Sequence, residues 1–352
     1  MTTTTAVPRT IPEHQGTLAQ RILRAAITPG GAVFVLVVVL LVAVIWSNPN
    51  FGEPPFLIRF VGRTAPLAIA AIGQYYVIVS GEFDLSMGAV IATQVVMAGN
   101  LIGQDEDRIL PVMVLMFAVG ALIGFLNGVG TTLLKVPSFI VTLGMFLALG
   151  GLVKYLTGGA ATGNPVDKFR QLGRGGLDDV PVVEVIPYSV IVLAVGDNPE
   201  AATFAGTSVW WTKTWAFMLS SLSATVAGIL LVGYAGVHPS VGQGYEFQAI
   251  TAVVLGGVVL GGGRGWVLSA AAGAFALELL LALLTFRDVE STWRNTVQGI
   301  IIILAVAASA RAWTLGRRPP SPTGDPSVTG TATAVDPTAP PPSRPGTDTG
   351  EH

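Results

Sequence analysis

Long apolar runs, separated by short polar stretches, make up the chain between residues 30 and 312. Most of these runs approach or exceed the roughly 20 residues that a helix needs to cross the hydrocarbon core of a bilayer. They are continuous rather than alternating, which favours helices over the strands of a membrane barrel. The pattern predicts spans at 30–46, 64–80, 88–102, 109–134, 136–156, 180–195, 209–233, 247–262, 266–286 and 296–312.

Basic residues flank this set of runs at both ends. Arg21 and Arg24 precede the first run, and further arginines end or follow the last one. By the positive-inside rule both termini then lie in the cytoplasm, and the number of spans is even. We predict an all-α membrane protein, a polytopic bundle of about ten spans within residues 30–313. A cytoplasmic segment at 1–29 precedes it, and a disordered Pro/Thr-rich cytoplasmic tail at 314–352 follows it.

The polar stretches between the runs predict loops. Residues 51–63 suggest a short amphipathic outer loop, although Arg59 and Arg63 run against the charge rule there. Residues 160–179 suggest a polar, glycine-rich outer loop. The run at 180–195 is short for a span and contains two prolines and a glutamate, so that it could cross a bilayer only with help.

The composition supports a membrane protein and argues against metal binding, nucleotide binding and catalysis by this chain. Only 11% of the 352 residues are charged, against about 25% in soluble domains, and 51% are hydrophobic. With no cysteine and three scattered histidines, we expect no metal site. The glycine-rich stretch 256–265 lacks the Gly-Lys-Ser/Thr of a phosphate loop, and no catalytic motif is visible. We therefore expect a chain that is not an enzyme, binds no cofactor itself and has no nucleic-acid partner.

Three acidic side chains interrupt the apolar runs. Glu82 and Asp84 lie between two runs, where flanking glycines predict a break in the helix. Ionisable groups at membrane depth are expensive and are functional candidates by default. The alternative, which we favour, is that these carboxylates accept hydrogen bonds from backbone N–H groups freed at the break. Glu278, in the middle of its run, either bonds to a neighbouring helix or lines a pathway.

Small residues recur at every fourth position of one run. Gly120, Gly124 and Gly128 would lie on one face of a helix, which lets the backbone of a second helix approach closely. The spacing predicts tight helix packing rather than a ligand site.

A polar island at 196–207 separates two apolar runs. Asn198 is suited to an N-cap, Pro199 to the first helical position, and Glu200 to the positive end of the helix dipole. Gly206 then ends the helix. A helix this short cannot span a membrane, so that it is either an ordinary interfacial helix or a surface that another protein grips. Counting spans places it in the cytoplasm.

Short motifs follow one another along the chain: GEFDLSMG at 81–88, Asn127-Gly128, VPSFIVTLG at 136–144, LTGG at 156–159, GDNPEAATFAG at 196–206, GYE at 244–246, AITAVVLGG at 249–257 and GGRG at 262–265. In this order they resemble the motifs of permease subunits of ABC importers of the ribose, xylose and galactose type. The resemblance extends from about residue 64 to residue 307.

The resemblance implies a multi-pass protein of the cell membrane that pairs as a homodimer. It implies an ATP-binding subunit on the cytoplasmic side, which carries the ATP and Mg, and an extracytoplasmic sugar-binding protein that delivers the solute. It makes the island the coupling helix, whose ATPase-coupling residues are Gly196, Asp197, Asn198, Pro199, Glu200, Ala201, Ala202, Ala205 and Gly206. Asn127 joins Glu82, Asp84 and Glu278 as a candidate pathway or helix-break residue.

The chain departs from the family pattern before the coupling motif. In relatives a full span and a basic Thr-x-Phe-Gly-Arg stretch precede it, whereas here the run at 180–195 leads directly into it. Roughly 25–30 residues, a span with its flank, are missing. Either the short run spans by thinning the bilayer locally, or it does not span and the protein is impaired.

The leading hypothesis is a permease subunit that translocates a monosaccharide with energy from a separate ATPase. An ABC permease for branched-chain amino acids or nucleosides is the nearest alternative in architecture. An ion-driven secondary transporter is a second alternative, motivated by Glu82, Asp84 and Glu278. A degenerate homologue that does not transport is a third, motivated by the shortened run.

Overall fold

The computed structural model describes residues 28–160, 163–174, 208–290 and 293–316. The helices are α1 (Pro29–Ser47), α2 (Pro54–Val79), α3 (Met87–Ile102), α4 (Ile109–Thr132), α5 (Ser138–Thr157), α6 (Asp167–Arg174), α7 (Val209–Ala235), α8 (Tyr245–Leu255), α9 (Val267–Phe286) and α10 (Trp293–Gly316). Short 3-10 turns at Pro49–Gly52 and Glu106–Arg108 precede α2 and α4. Within these described ranges there is no strand.

Six described helices are long and apolar enough to cross a membrane, namely α1, α2, α4, α5, α7 and α9. They confirm an all-helical, multi-pass membrane protein. The total of about ten spans, the cytoplasmic termini and the boundaries at 29/30 and 313/314 stay predictions. The short run at 180–195 and the coupling stretch at 196–207 lie outside the described residues.

Helix α2 begins at Pro54, so that the predicted loop at 51–63 is wrong. Proline suits the first turn of a helix because its fixed φ matches and its missing N–H would have no partner there. Arg59 and Arg63 therefore project from the first turns of a long helix. Because these two side chains are charged, the hydropathy pattern did not predict that this stretch is helical.

The predicted loop at 160–179 is also partly wrong, since it contains the eight-residue helix α6. Its aromatic residue Phe169 is fully buried. The backbones of α6 and α7 come close where Gly173 meets Gly233. One large apolar side chain in a polar stretch is thus enough to fix this helix against the bundle.

The predicted span at 247–262 is an eleven-residue helix, α8, followed by irregular chain. Gly257, Gly262 and Gly263 have positive φ, a conformation that residues with a side chain rarely adopt. The glycines end the helix although their surroundings stay apolar. At about 1.5 Å per residue, α8 alone is too short to cross a bilayer.

Helix α7 is the centre of the bundle and packs against α2, α3, α4 and α6. Its close approach to α4 confirms the packing predicted from the glycine spacing. A Cβ built on Gly124 would lie 2.5 Å from Cα of Met218, and one on Gly128 would lie 2.7 Å from Cα of Thr214. Because real Cβ atoms do not come so close, these positions require glycine.

The outer surface of the bundle carries large exposed apolar side chains, above all on α1, α4 and α5. Examples are Val38 on α1, Leu110 on α4 and Leu147 on α5. A water-soluble monomer rarely exposes so extended an apolar surface. The arrangement fits a lipid surrounding for these helices and places α7 in the interior.

Candidate functional site at the helix break

The chain between α2 and α3 forms a break in which the helical ladder stops and restarts. The hydroxyl of Ser80 donates to the carbonyl of Val77 at 2.8 Å. Gly81 adopts a φ of 83°, and its N–H donates to the carbonyl of Ile78 at 3.0 Å. The left-handed glycine turns the chain out of the helix, which leaves residues 82–86 free to contact other elements.

Asp84 is fully buried in this break and accepts three hydrogen bonds. The N–H and the hydroxyl of Ser86 donate to one carboxylate oxygen at 2.8 Å and 2.6 Å. The hydroxyl of Ser220 on α7 donates to the other oxygen at 2.7 Å. The bond from the backbone of Ser86 is of the kind expected for a carboxylate that satisfies a freed N–H group.

Asn127 belongs to the same network. Its side-chain amide donates to the hydroxyl of Ser86 at 2.9 Å, so that α4 is joined to the break through a hydroxyl that itself bonds to Asp84. Asn127 and Ser86 are both fully buried. Bonds of this kind are strengthened by the low dielectric of a bundle interior.

Glu82 does not bond to a freed backbone group but pairs with a cation. Nζ of Lys213 lies 2.5 Å from Oε1 of Glu82, and the two side chains are only 16% and 17% exposed. Lys213 follows two tryptophans near the start of α7. Its pairing with Glu82 joins α7 to the break.

The break is also held by α5. The N–H of Phe83 donates to the hydroxyl of Ser138 at 3.1 Å. The hydroxyl of Thr142 contacts the carbonyl of Phe83 at 3.3 Å and that of Ser138 at 2.8 Å. Residues 82–86 therefore connect three separate helices, α4, α5 and α7, through backbone and side-chain bonds.

Glu278 lies at a different place. It lines a cavity of about 320 Å³ between α2 and α9, together with Arg59, Arg63 and several phenylalanines. The structure thus brings Glu82, Asp84 and Asn127 together and leaves Glu278 apart. Whether any of the four takes part in transport stays a prediction.

The family described as "Branched-chain amino acid transport system / permease component" matches residues 56–176 and 188–306. The match covers most of the chain, including the break and every helix from α3 to α9. The chain belongs to this permease family. No solved structure matches it.

Named relatives of the permease match more than three quarters of its length. The ribose import permease protein of Escherichia coli strain K12 is 31% identical over 292 residues, which cover 77% of this chain and 91% of that protein. The galactose/methyl galactoside import permease protein of the same strain is 28% identical, with 79% and 93% covered. The fructose import permease protein of Rhizobium meliloti is 29% identical, with 84% and 89% covered.

This chain contributes fewer residues to the alignment than its relative does. Of its 352 residues, 77% is about 271, which is about 21 fewer than the 292 positions aligned with the E. coli ribose permease. The family match leaves out residues 177–187, which include the first half of the short run. The loss of 25–30 residues before the coupling motif stays a prediction. The coupling residues 196–206 fall within the second matched stretch, and their conformation is outside the described part of the chain.

Sequence reasoning missed Lys213, Ser220 and Ser138 as partners of the break. One signal was available, because Lys213 is the only charged residue in the 27-residue helix α7. A carboxylate at membrane depth needs a counter-charge, and an isolated lysine in an apolar span is the natural candidate. No comparable signal marks Ser220 among the serines and threonines of α7.

Proposed function

We propose that this chain is the membrane-spanning permease subunit of an ATP-binding-cassette importer that translocates a monosaccharide. The observation that carries the proposal is the similarity over nearly the whole length of three relatives, which are named for import of ribose, galactose or methyl galactoside, and fructose. The family description names branched-chain amino acids, so that leucine is the appropriate competing substrate.

In this proposal the permease acts as a homodimer in the cytoplasmic membrane. A separate ATPase subunit binds ATP and Mg and docks on the coupling stretch, with Asn198 and Glu200 at the start of its helix. A binding protein on the outer side delivers the sugar. The chain itself hydrolyses no ATP, and both of its termini lie in the cytoplasm.

The structure supports a mechanical role for the break in this cycle. Helix α7 begins at Val209, directly after the coupling stretch, with Ser208 as its N-cap. Lys213 and Ser220 lie in its first half and bind Glu82 and Asp84 of the break. A displacement of the coupling stretch by the ATPase would thus reach the break through one continuous helix.

Uptake in proteoliposomes tests the proposal. The permease is reconstituted with its cognate ATPase and binding protein, and uptake of labelled ribose, galactose, fructose and leucine is measured with and without ATP. ATP-dependent uptake of one of the sugars is expected, and a protonophore should leave it unchanged. Uptake that persists without the ATPase, or is abolished by the protonophore, would rule the proposal out.

A further inference from the structure

A second cavity, of about 590 Å³, lies between α8 and α10. It is formed by the turn before α8, the first turn of α8 and the first half of α10. The hydrogen-bonding side chains that line it are Ser240, Gln243, Glu246, Gln248, Asn295 and Gln298. Its size falls in the range of about 300–1,000 Å³ that small-molecule sites occupy.

One face of α10 is directed to this cavity. Asn295, Gln298, Gly299 and Ile302 all line it, and their spacing of three, four and seven residues puts them on one side of a helix. Gln298 is 6% exposed, so that its amide is held inside the protein and is not a solvated surface group.

Glu246 lies in the first turn of α8, lines the cavity and is 4% exposed. Its Oε2 has no hydrogen-bond partner in the described part of the chain, but this oxygen lies against Gly88 at the start of α3 and is not accessible from the cavity. The groups that a ligand can reach are therefore the amides and hydroxyls of the lining.

The lining chemistry suits a neutral polyhydroxyl compound. Amide and hydroxyl groups can both donate to and accept from sugar hydroxyls, and Phe247 adds an apolar surface. The described side chains that line the cavity include no lysine or arginine. A monosaccharide carries no charge that would need one.

The cavity lies at the end of the bundle where α1 and α9 end. The guanidinium of Arg287, next to the last residue of α9, donates to the hydroxyl of Ser47 at the end of α1 at 3.2 Å. Helix α10 begins shortly afterwards, and its first turns line the cavity. If the N-terminus is cytoplasmic, this end faces outward.

We propose that the cavity between α8 and α10 is a binding subsite for the monosaccharide on its entry from the outer side. The inference rests on the proposed function and names the residues of the permease that select the sugar. Gln298 and Asn295 bind hydroxyl groups from the wall formed by α10, and Gln243 and Gln248 bind them from the opposite wall.

Filling the cavity tests this directly. A Cβ on Gly299 would meet nothing within 4 Å, so that Gly299→Leu begins its side chain in open space where Gly299 lines the cavity. Gly151→Leu is the matched control, because Gly151 is also helical and open but does not line the cavity. Both variants should keep the wild-type melting temperature. Sugar uptake should fall at least about tenfold for Gly299→Leu and stay at the wild-type level for Gly151→Leu. A tenfold loss of affinity corresponds to the loss of about one hydrogen bond to the sugar.

A second variant separates binding from folding. Gln298→Ala should raise the KM for sugar uptake about tenfold and leave the maximal rate and ATPase binding unchanged. Wild-type uptake by Gly299→Leu together with an unchanged KM for Gln298→Ala overturns the subsite while the proposed function stands. Wild-type permease that imports leucine and none of the sugars overturns both.

Discussion

The ammonium group of Lys213 on α7 lies 2.5 Å from a carboxylate oxygen of Glu82 in the break between α2 and α3. Two further ion pairs of the described residues, Arg108–Asp105 and Lys168–Glu106, are at least half exposed. The pair at the break is instead shielded from water, where opposite charges attract strongly and a single charge is costly.

Lys213→Met should therefore destabilise the permease by about 3 kcal/mol, because it leaves Glu82 as an unpaired charge. The double variant Lys213→Met/Glu82→Gln should recover much of the loss. Unfolding of the purified permease in a denaturant titration measures both. Lys168→Met is the control for an exposed pair and should leave the stability almost unchanged, because water and salt screen that pair. Equal losses in the single and double variants would show that the pair does not contribute as a pair.

Asp84→Ala should be more damaging than Ser220→Ala. The first removes the acceptor of three hydrogen bonds and leaves two hydroxyl groups and one N–H without it. We expect a loss above about 3 kcal/mol for Asp84→Ala, against about 1–2 kcal/mol for Ser220→Ala, since each unsatisfied buried donor costs on that scale. The same denaturant titration checks the order, and a reversed order would contradict the hydrogen-bond assignment.

Gly124→Leu should separate α4 from α7. The added Cβ would lie 2.5 Å from backbone Cα of Met218, which cannot move without shifting α7. Low membrane expression and a lowered melting temperature are expected. Gly151→Leu, which adds the same side chain in open space on α5, should behave as wild type in both measurements. A Gly124→Leu permease of normal stability would refute the close packing.

Glu200→Arg should weaken docking of the ATPase without unfolding the bundle. The substitution places a positive charge in the first turn of the predicted coupling helix, where the helix dipole disfavours it. A pull-down of the ATPase by purified permease measures docking, and the melting temperature serves as the control for folding. Unchanged ATPase binding would count against the coupling role of residues 196–206.

Local features of the chain were predictable where they depend on neighbouring residues. The run at 209–233 predicted α7 to within two residues, because a long apolar segment in a bilayer can satisfy its backbone only as a helix. The glycine spacing in α4 predicted a close helix contact for a similar reason. The start of α2 was predicted ten residues too late, at residue 64 and not at Pro54. Hydropathy alone does not show whether a proline ends a loop or begins a helix.

The sequence by itself determined the class of protein, most of the described spans, the break at 81–88 and the family. Only the tertiary structure decided which side chains meet there. Lys213 is 131 residues from Glu82, and Ser220 is 136 residues from Asp84. The cavity between α8 and α10 likewise joins residues far apart in the chain. Such pairings depend on which faces of the helices pack together, and that choice is made by the whole bundle at once, so that no local pattern records it.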